Sequence, residues 1–273
     1  MNKKIAFIGA GSMAEAIISG MVAKKIVPTN QIIATNHSNK ERLSYLEEKY
    51  DVQTSQDRKS TASGADVVIL AMKPKDIKVV LEELDEAFHK DTIVVSLLAG
   101  ISTTFIEKNL SLPLSVIRVM PNTSAMIGES ATTIAKGSKA SKEDVVTVVT
   151  LMQSVGTTNL IEEEKMDAYT ALAGSAPAFY YYMVEAMDQF AKDQKLDEAV
   201  SKQLMTQTIK GVAAMLENSE DTPANLRKKI TSPGGTTEAG LKVLGEKDFQ
   251  EAVVACLTRT QERSKELRED FEK

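Results

Sequence analysis

Tryptophan is absent, cysteine occurs once and histidine twice among these 273 residues. A single thiol, Cys256, excludes an intrachain disulfide framework and a cysteine-built metal cage. His37 and His89 are too few for a histidine-rich metal site, so no metal is expected. Apolar runs stay far short of the roughly 20 residues that span a bilayer. Basic charge is also in short supply. Lys and Arg number 33 against 38 Asp and Glu, a net charge of -5, which leaves no electrostatic footprint for nucleic acid or an anionic membrane. The N-terminus passes from Asn2-Lys3-Lys4 straight into a strand-like run, without the longer apolar region and cleavage site of a signal peptide. A reduced, cytoplasmic protein is expected. What is present is ordinary globular composition, 42% hydrophobic and 26% charged, and this excludes disorder as the main state. The length suits one large or two modest domains.

The first part alternates strands and helices. Short apolar runs read as strands at Lys4 to Ile8, Gln31 to Thr35, Val52 to Thr54, Asp66 to Ala71, Thr92 to Leu97, Ser115 to Met120 and Ala131 to Ala135. Helical spacing covers Ser12 to Ala23, Lys40 to Tyr50, Pro74 to His89 and Thr103 to Asn109. Helix Lys142 to Ser154 and strand Thr157 to Ile161 close this part. Apolar strands separated by such helices predict an α/β, doubly wound, mainly parallel sheet with both faces covered. After Glu162 the texture is helical throughout, over Asp167 to Lys192, Asp197 to Glu217, Pro223 to Ile230, Thr237 to Leu244 and Asp248 to Phe271. The expected division is therefore 1–161, of alternating strands and helices, and 162–273, all-helical. In the second segment Leu204, Met205, Ile209, Val212, Ala213, Met215 and Leu216 spread beyond one helical stripe. Such a helix is either a central core helix or part of an interlocked dimer.

Gly9-Ala10-Gly11-Ser12-Met13-Ala14 is a G-x-G-x-x-A between the first strand and the first helix. In that context Gly9 permits the tight turn, Gly11 lets backbone approach a pyrophosphate, and Ala14 allows close helix–strand packing. The helix N-terminus at Ser12 and Met13 favours the anion. NAD-selective sites place an acid at the end of the second strand, against the ribose 2′-hydroxyl. Here the residues are Asn36, His37 and Ser38, with Lys40 and Arg42 nearby. This pattern predicts NADPH, with NADH as the weaker cofactor. Ligands sit at strand C-termini in open parallel sheets, which makes Ala71, Lys73, Pro74 and Ala99 further cofactor candidates. Lys73 has an alternative as a surface lysine, with Pro74 merely starting a helix.

In the helical part Ala171, Gly174, Ser175 and Ala178 fall at i, i+3, i+4 and i+7, one small face for close packing or for a flat ring. Pro177 starts or kinks that helix. Tyr180, Tyr181 and Tyr182 run around a helix and read as packing. The segment Thr231-Ser232-Pro233-Gly234-Gly235-Thr236-Thr237-Glu238 places consecutive glycines before hydroxyl residues at a helix start. That arrangement makes either an anion-binding nest, carboxylates included, or a connecting loop with a Thr N-cap. No nucleophile–base pair presents itself.

Together these motifs resemble the pyrroline-5-carboxylate reductase family across essentially the whole chain. The matching runs are the opening fingerprint, Ala71-Met72-Lys73-Pro74, Leu98 to Ser102, Arg118 to Thr123, Asp167 to Ser175 and, most specifically, Thr231 to Thr237 followed by Ala239-Gly240-Leu241. The resemblance implies a Rossmann domain plus an all-helical dimerisation domain, and NAD(P)H-dependent reduction of a cyclic imine in the last step of proline synthesis. The active site would lie between cofactor and helical domain, with a partner subunit contributing. Thr237 would hydrogen-bond the substrate ring nitrogen, and Ser232 with the amides around Gly234, Gly235 and Thr236 would hold its carboxylate. A homodimer or larger homo-oligomer is implied. Four positions depart from the family's usual residues: Ser124 for Pro, Ala176 for Gly, Thr222 for His and Lys228 for an acid. Two other readings remain, an NADPH-binding regulatory paralogue without turnover and a 3-hydroxyacid dehydrogenase. The latter normally needs a lysine three or four residues after Gly174, and none is there.

Overall fold

The computed structural model describes residues 1–271; residues 272–273, at the end of the segment expected to be helical, lie outside the described residues. The chain forms two compact units, one of Met1–Ser175 joined by the chain from Thr258 onward, the other Ala176–Leu257.

The first unit is built on eight strands: β1 Ile5–Ile8, β2 Ile32–Thr35, β3 Gln53–Ser55, β4 Val67–Leu70, β5 Ile93–Ser96, β6 Ser115–Met120, β7 Ser130–Lys136 and β8 Gly156–Leu160. Their order across the sheet is β3-β2-β1-β4-β5-β6-β7-β8. The first six run parallel, β7 is antiparallel to β6, and β8 is parallel to β7. Six helices precede the helical end of this unit: α1 Ser12–Ala23, α2 Lys40–Tyr50, α3 Arg58–Ser63, α4 Ile77–Leu84, α5 Thr103–Lys108 and α6 Lys142–Met152. Strand alternation sorts the core into two layers. Ile5, Phe7, Val67 and Ile69 pack with Ile17, Ile18 and Met21 of α1 on one face. Ala6, Ile8, Val68 and Leu70 pack with Ile77, Leu81 and Leu84 of α4 on the other. The expected doubly wound sheet is therefore the observed one.

Local differences from the sequence reading have identifiable causes. Helix α3 was not expected, because its six residues Arg58–Ser63 carry no apolar stripe; Asp57 starts it by accepting from the Ser60 amide at 3.0 Å. The stretch from Pro74 to His89 is not one helix but a 3-10 turn Pro74–Asp76, then α4, then a second 3-10 turn Asp85–Ala87. The helix expected from Asp167 is α7 Met166–Tyr169 followed by a π-helical segment Thr170–Gly174, closed by the Ser175 amide donating to the Thr170 carbonyl at 2.8 Å. The extra residue in that turn breaks the i, i+3, i+4, i+7 register that placed Ala171, Gly174, Ser175 and Ala178 on one face.

An ion-pair network explains why the chain's end belongs to the sheet unit. Arg118 on β6 is fully buried, and its Nη1 lies 3.5 Å from Glu163 Oε1. Burial pushes the guanidinium below its ordinary value, and the Glu163 carboxylate pushes back. Glu163 also accepts from the Thr103 amide and hydroxyl. Nearby, buried Asp167 accepts from Ser264 Oγ at 2.8 Å and pairs with Arg268 at 3.1 Å. Removing either partner of such a pair leaves an uncompensated buried charge.

The second unit contains α8 Ala176–Asp193, α9 Glu198–Asn218, α10 Pro223–Lys229, α11 Thr236–Glu246 and the first part of α12 Phe249–Phe271. Pro177 sits at the start of α8, as expected of a residue without an amide donor. Among the described residues of this unit, Ala176 and Ala191 are the buried apolar ones. On α9, Leu204 is 62% exposed, Val212 56% and Met215 55%. The alternative of a central core helix therefore fails within one chain. Tyr180, Tyr181 and Tyr182 are likewise exposed in a single copy.

Candidate active site

The strand order reverses between β1 and β4: the chain winds outward through β2 and β3 on one side and through β5 and β6 on the other. Such a switch point opens a crevice at the carboxyl ends of the strands. The crevice here has a volume of about 470 Å³ and is lined by Gly9, Gly11, Asn36, Ser38, Ala71 and Lys73, together with His37, Arg58, Lys75 and Asp76. Six sequence candidates thus converge from the ends of three strands. Arg58 was missed because no helix was expected behind β3. Ser12, Met13, Pro74 and Ala99 are outside the lining. Ser12 is exposed in the first turn of α1, Met13 packs partly against the core, Pro74 opens its 3-10 turn, and Ala99 lies exposed after β5.

Gly9 has φ +117, and a Cβ there would stand 2.6 Å from the Ala71 carbonyl oxygen. Only glycine lets the turn and the end of β4 approach this closely. At Gly11, by contrast, an added Cβ would meet no atom within 4 Å, so the approach to the α1 N-terminus is open. The loop after β2 is shaped by Asn36, whose Oδ1 accepts from the Ser38 and Asn39 amides at 3.1 and 3.0 Å.

Arg42 departs from the sequence reading. It is not a free cation beside the loop. Its Nε donates to the Ala10 carbonyl at 2.7 Å, and its Nη2 bonds Glu15 Oε2 at 2.5 Å. Burial pushes the Glu15 carboxyl up, but hydrogen bonds from Arg42, Tyr50, Lys49 and Tyr45 outweigh this and hold it at about 2. Arg42 is thus a clamp on the glycine loop.

In the second unit, Ser232-Pro233-Gly234-Gly235 forms a tight turn closed by the Gly235 amide donating to the Ser232 carbonyl at 3.0 Å. Pro233 supplies the fixed φ, and Gly234 takes φ +72, the conformation a type II turn demands at that position. Gly235 is the N-cap of α11 and makes no side-chain cap bond. The alternative of a Thr-capped loop therefore fails: α11 begins at Thr236, and the hydroxyls of Thr236 and Thr237 are not caps. The first-turn amides of such a helix lack intrahelical partners. One carboxylate already uses the turn: the Gly234 amide donates to Glu238 Oε2 at 2.7 Å. A groove of about 870 Å³ beside the turn is lined by Arg227, Lys228 and Lys242 as well as Gly234, Gly235 and Glu238. Its charge suits an anionic ligand. Two departures are explained locally. Thr222 caps α10 by accepting from the Asn225 amide at 3.2 Å. Ser124 supplies an amide to Asn122 Oδ1 at 3.1 Å, a bond that Pro cannot make.

The strand order, the glycine turn and the crevice at the switch point place the first unit in the dinucleotide-binding Rossmann class. Two family models match: "NADP oxidoreductase coenzyme F420-dependent" over residues 4–100 and "Pyrroline-5-carboxylate reductase dimerisation" over 163–267. Pyrroline-5-carboxylate reductase 2 of Bacillus subtilis is 44% identical over 98% of this chain and 96% of its own length. A pyrroline-5-carboxylate reductase of Coxiella burnetii superposes with a TM-score of 0.88 at 36% identity, covering 97% of this chain and 98% of that one. A Plasmodium falciparum pyrroline carboxylate reductase, solved with NADP bound, gives 0.89 at 26% identity over 97% and 98%. The chain belongs to the pyrroline-5-carboxylate reductase family.

Proposed function

We infer that this chain is an oxidoreductase that reduces 1-pyrroline-5-carboxylate to L-proline with NADPH, the last step of proline biosynthesis. The observation that carries this reading is the pairing, on one family chain, of an intact dinucleotide crevice with a turn that already accepts a carboxylate. The residues fit the cofactor. The open α1 N-terminus suits the pyrophosphate, and neutral Asn36 and Ser38 admit a 2′-phosphate that an acid would repel. Cofactor contacts are assigned to Gly9, Gly11, Ser12, Met13, Asn36, Ser38, Ala71, Lys73, Pro74 and Ala99. Bound NADPH supplies a hydride to the carbon of the C=N bond. Ser232 and the amides around Gly234, Gly235 and Thr236 are assigned to the substrate carboxylate, which takes the place of Glu238 at the Gly234 amide, and the Thr237 hydroxyl orients the ring nitrogen. A protonated imine is already electrophilic, so alignment, not strong acid catalysis, is the protein's main contribution. Loss of NADPH absorbance on adding pyrroline-5-carboxylate tests the assignment. Nucleotide binding without turnover would instead mark a regulatory paralogue.

Residues 1–161 serve the nucleotide and 162–273 serve dimerisation and substrate, a division supported by the extents of the two family models. Exposed apolar residues on α8 and α9 support a homo-oligomer. We assign a dimer with α9 in its core, since obligate interfaces resemble a domain core cut in half. Sedimentation is expected to give a dimer or larger assembly at micromolar concentration; a folded, active monomer would refute this. The cytoplasm is the compartment assigned, in keeping with the single cysteine and with no helix among the described residues long and apolar enough to cross a membrane.

Asn36→Asp tests cofactor choice cleanly. The carboxylate retains the acceptor that shapes the loop and adds a charge against the 2′-phosphate. Tighter binding of NADPH than NADH is expected in the parent, with preference moving toward NADH in the variant. Equal affinities in the parent would overturn the assignment.

A further inference from the structure

Recognition of NADPH over NADH requires a partner for the 2′-phosphate at the end of β2. Of the two cations that follow β2, Lys40 is exposed at the start of α2 and outside the crevice lining, and Arg42 is committed to the Ala10 carbonyl and to Glu15. Lys73 and Lys75 follow β4, on the far side of β1 from β2. Arg58 is different. It follows β3, the strand that flanks β2, and lines the same crevice as Asn36, His37 and Ser38. Its side chain is 21% exposed, and Nη1 donates to Glu83 Oε2 at 3.0 Å, which orients the guanidinium without occupying its whole fork. The β3–α3 turn is tied to the β2 loop by Gln56 Nε2 donating to the His37 carbonyl at 3.2 Å, and by the Asn36 amide reaching the Ser55 carbonyl at 3.4 Å. Two elements distant in sequence are thereby locked side by side.

We propose that Arg58 is the residue by which this chain selects a 2′-phosphorylated dinucleotide, with Glu83 as its positioning partner. The inference rests on the NADPH reading above and adds a residue to it. A guanidinium offers several N–H donors in a planar fork matched to phosphate oxygens. The acid in the crevice lining is Asp76, Asp57 beside it in sequence caps α3, and its anchor is Glu83; Glu83 is 41% exposed, so its negative charge is partly screened by solvent. Arg42 then acts on the loop backbone, common to both nucleotides, and Arg58 acts on the phosphate, present in only one.

Equilibrium titration of the full chain with NADPH and with NADH separates the roles. Arg58→Gln is expected to weaken NADPH binding about 10- to 150-fold, the range for a lost charge-assisted contact, and to leave NADH within about twofold. Arg58→Lys should retain part of the preference. Arg42→Gln should weaken both nucleotides alike. Discrimination unchanged in Arg58→Gln, or lost selectively in Arg42→Gln, overturns the proposal. Should Arg58→Gln melt at room temperature, Glu83→Ala decides. It leaves Arg58 in place but without its acceptor, and only NADPH affinity should fall; no change in either nucleotide overturns the proposal. A parent protein that binds neither nucleotide would sink the cofactor reading itself, a distinguishable result.

Discussion

Thr237→Ala is expected to lower kcat by about 10- to 150-fold, with NADPH affinity and melting temperature unchanged. The hydroxyl makes no cap bond in α11, so its removal costs the fold little. In the proposed site it meets the ring nitrogen, where charge redistributes during reduction. A charge-assisted hydrogen bond is worth about 1.5–3 kcal/mol, and a bond strengthened in the transition state is lost from kcat. Gly235→Val is the companion change and should act on KM. A Cβ at Gly235 would lie 3.0 Å from the Ser232 carbonyl oxygen and 3.6 Å from Ser232 Cβ. The added branches press on Ser232 itself and close the turn to a carboxylate. KM for pyrroline-5-carboxylate should rise by at least about tenfold, the equivalent of roughly 1.4 kcal/mol, while NADPH still binds. If both variants lose only thermal stability, and the folded fraction keeps parental kinetics, the turn is structural and the site assignment fails.

Gly9→Ala should do its damage in the other unit. The residue sits at φ +117, and its new methyl would fall 2.6 Å from the Ala71 oxygen and 2.7 Å from the Ala71 carbon. Neither is a flexible side-chain end. An L-residue in a left-handed conformation costs about 1–2 kcal/mol, and overpacking adds about 1–3. A total near 3 kcal/mol corresponds to roughly 6–12 °C in melting for a unit of this size. Relief of the clash must separate the glycine turn from the end of β4, which together form the crevice. NADPH binding should therefore fall by at least about tenfold even in the folded fraction. Calorimetry and nucleotide titration on the same sample check both. Parental melting and parental affinity would show that the close approach is not needed.

Much of this was legible from residue order because the signals are local. Strands such as Phe7-Ile8 and Val67 to Leu70 are short apolar runs stopped by turn residues, and a buried parallel strand has no other pattern. The glycine fingerprint and the Pro233-Gly234 turn are legible for the same reason: a positive φ or a close approach is a demand on one residue, met by glycine alone. Helix α3 was not, since six residues without an apolar stripe carry no period. The π segment at Thr170–Gly174 was hidden too, because its composition is that of an ordinary helix. Its contacts are also long-range: Asn122 Nδ2 donates to the Ala173 carbonyl at 3.1 Å across 51 positions of sequence.

The amino-acid sequence alone therefore determined the doubly wound class, the two kinds of texture along the chain, the glycine turn and the family resemblance. Each depends on interactions within a few residues or on periodicity along one element. Only the tertiary structure decided which cation holds which carboxylate. Residue order placed Arg42 beside the loop after β2 and gave no sign of Arg58. Packing sends one to Glu15 and the glycine-loop backbone and the other into the crevice beside Asn36. It likewise decided that α9 is left uncovered in a single chain, since its exposure depends on which neighbours the topology places around it. Charge pairing and burial are long-range in sequence, and no local pattern encodes the partner.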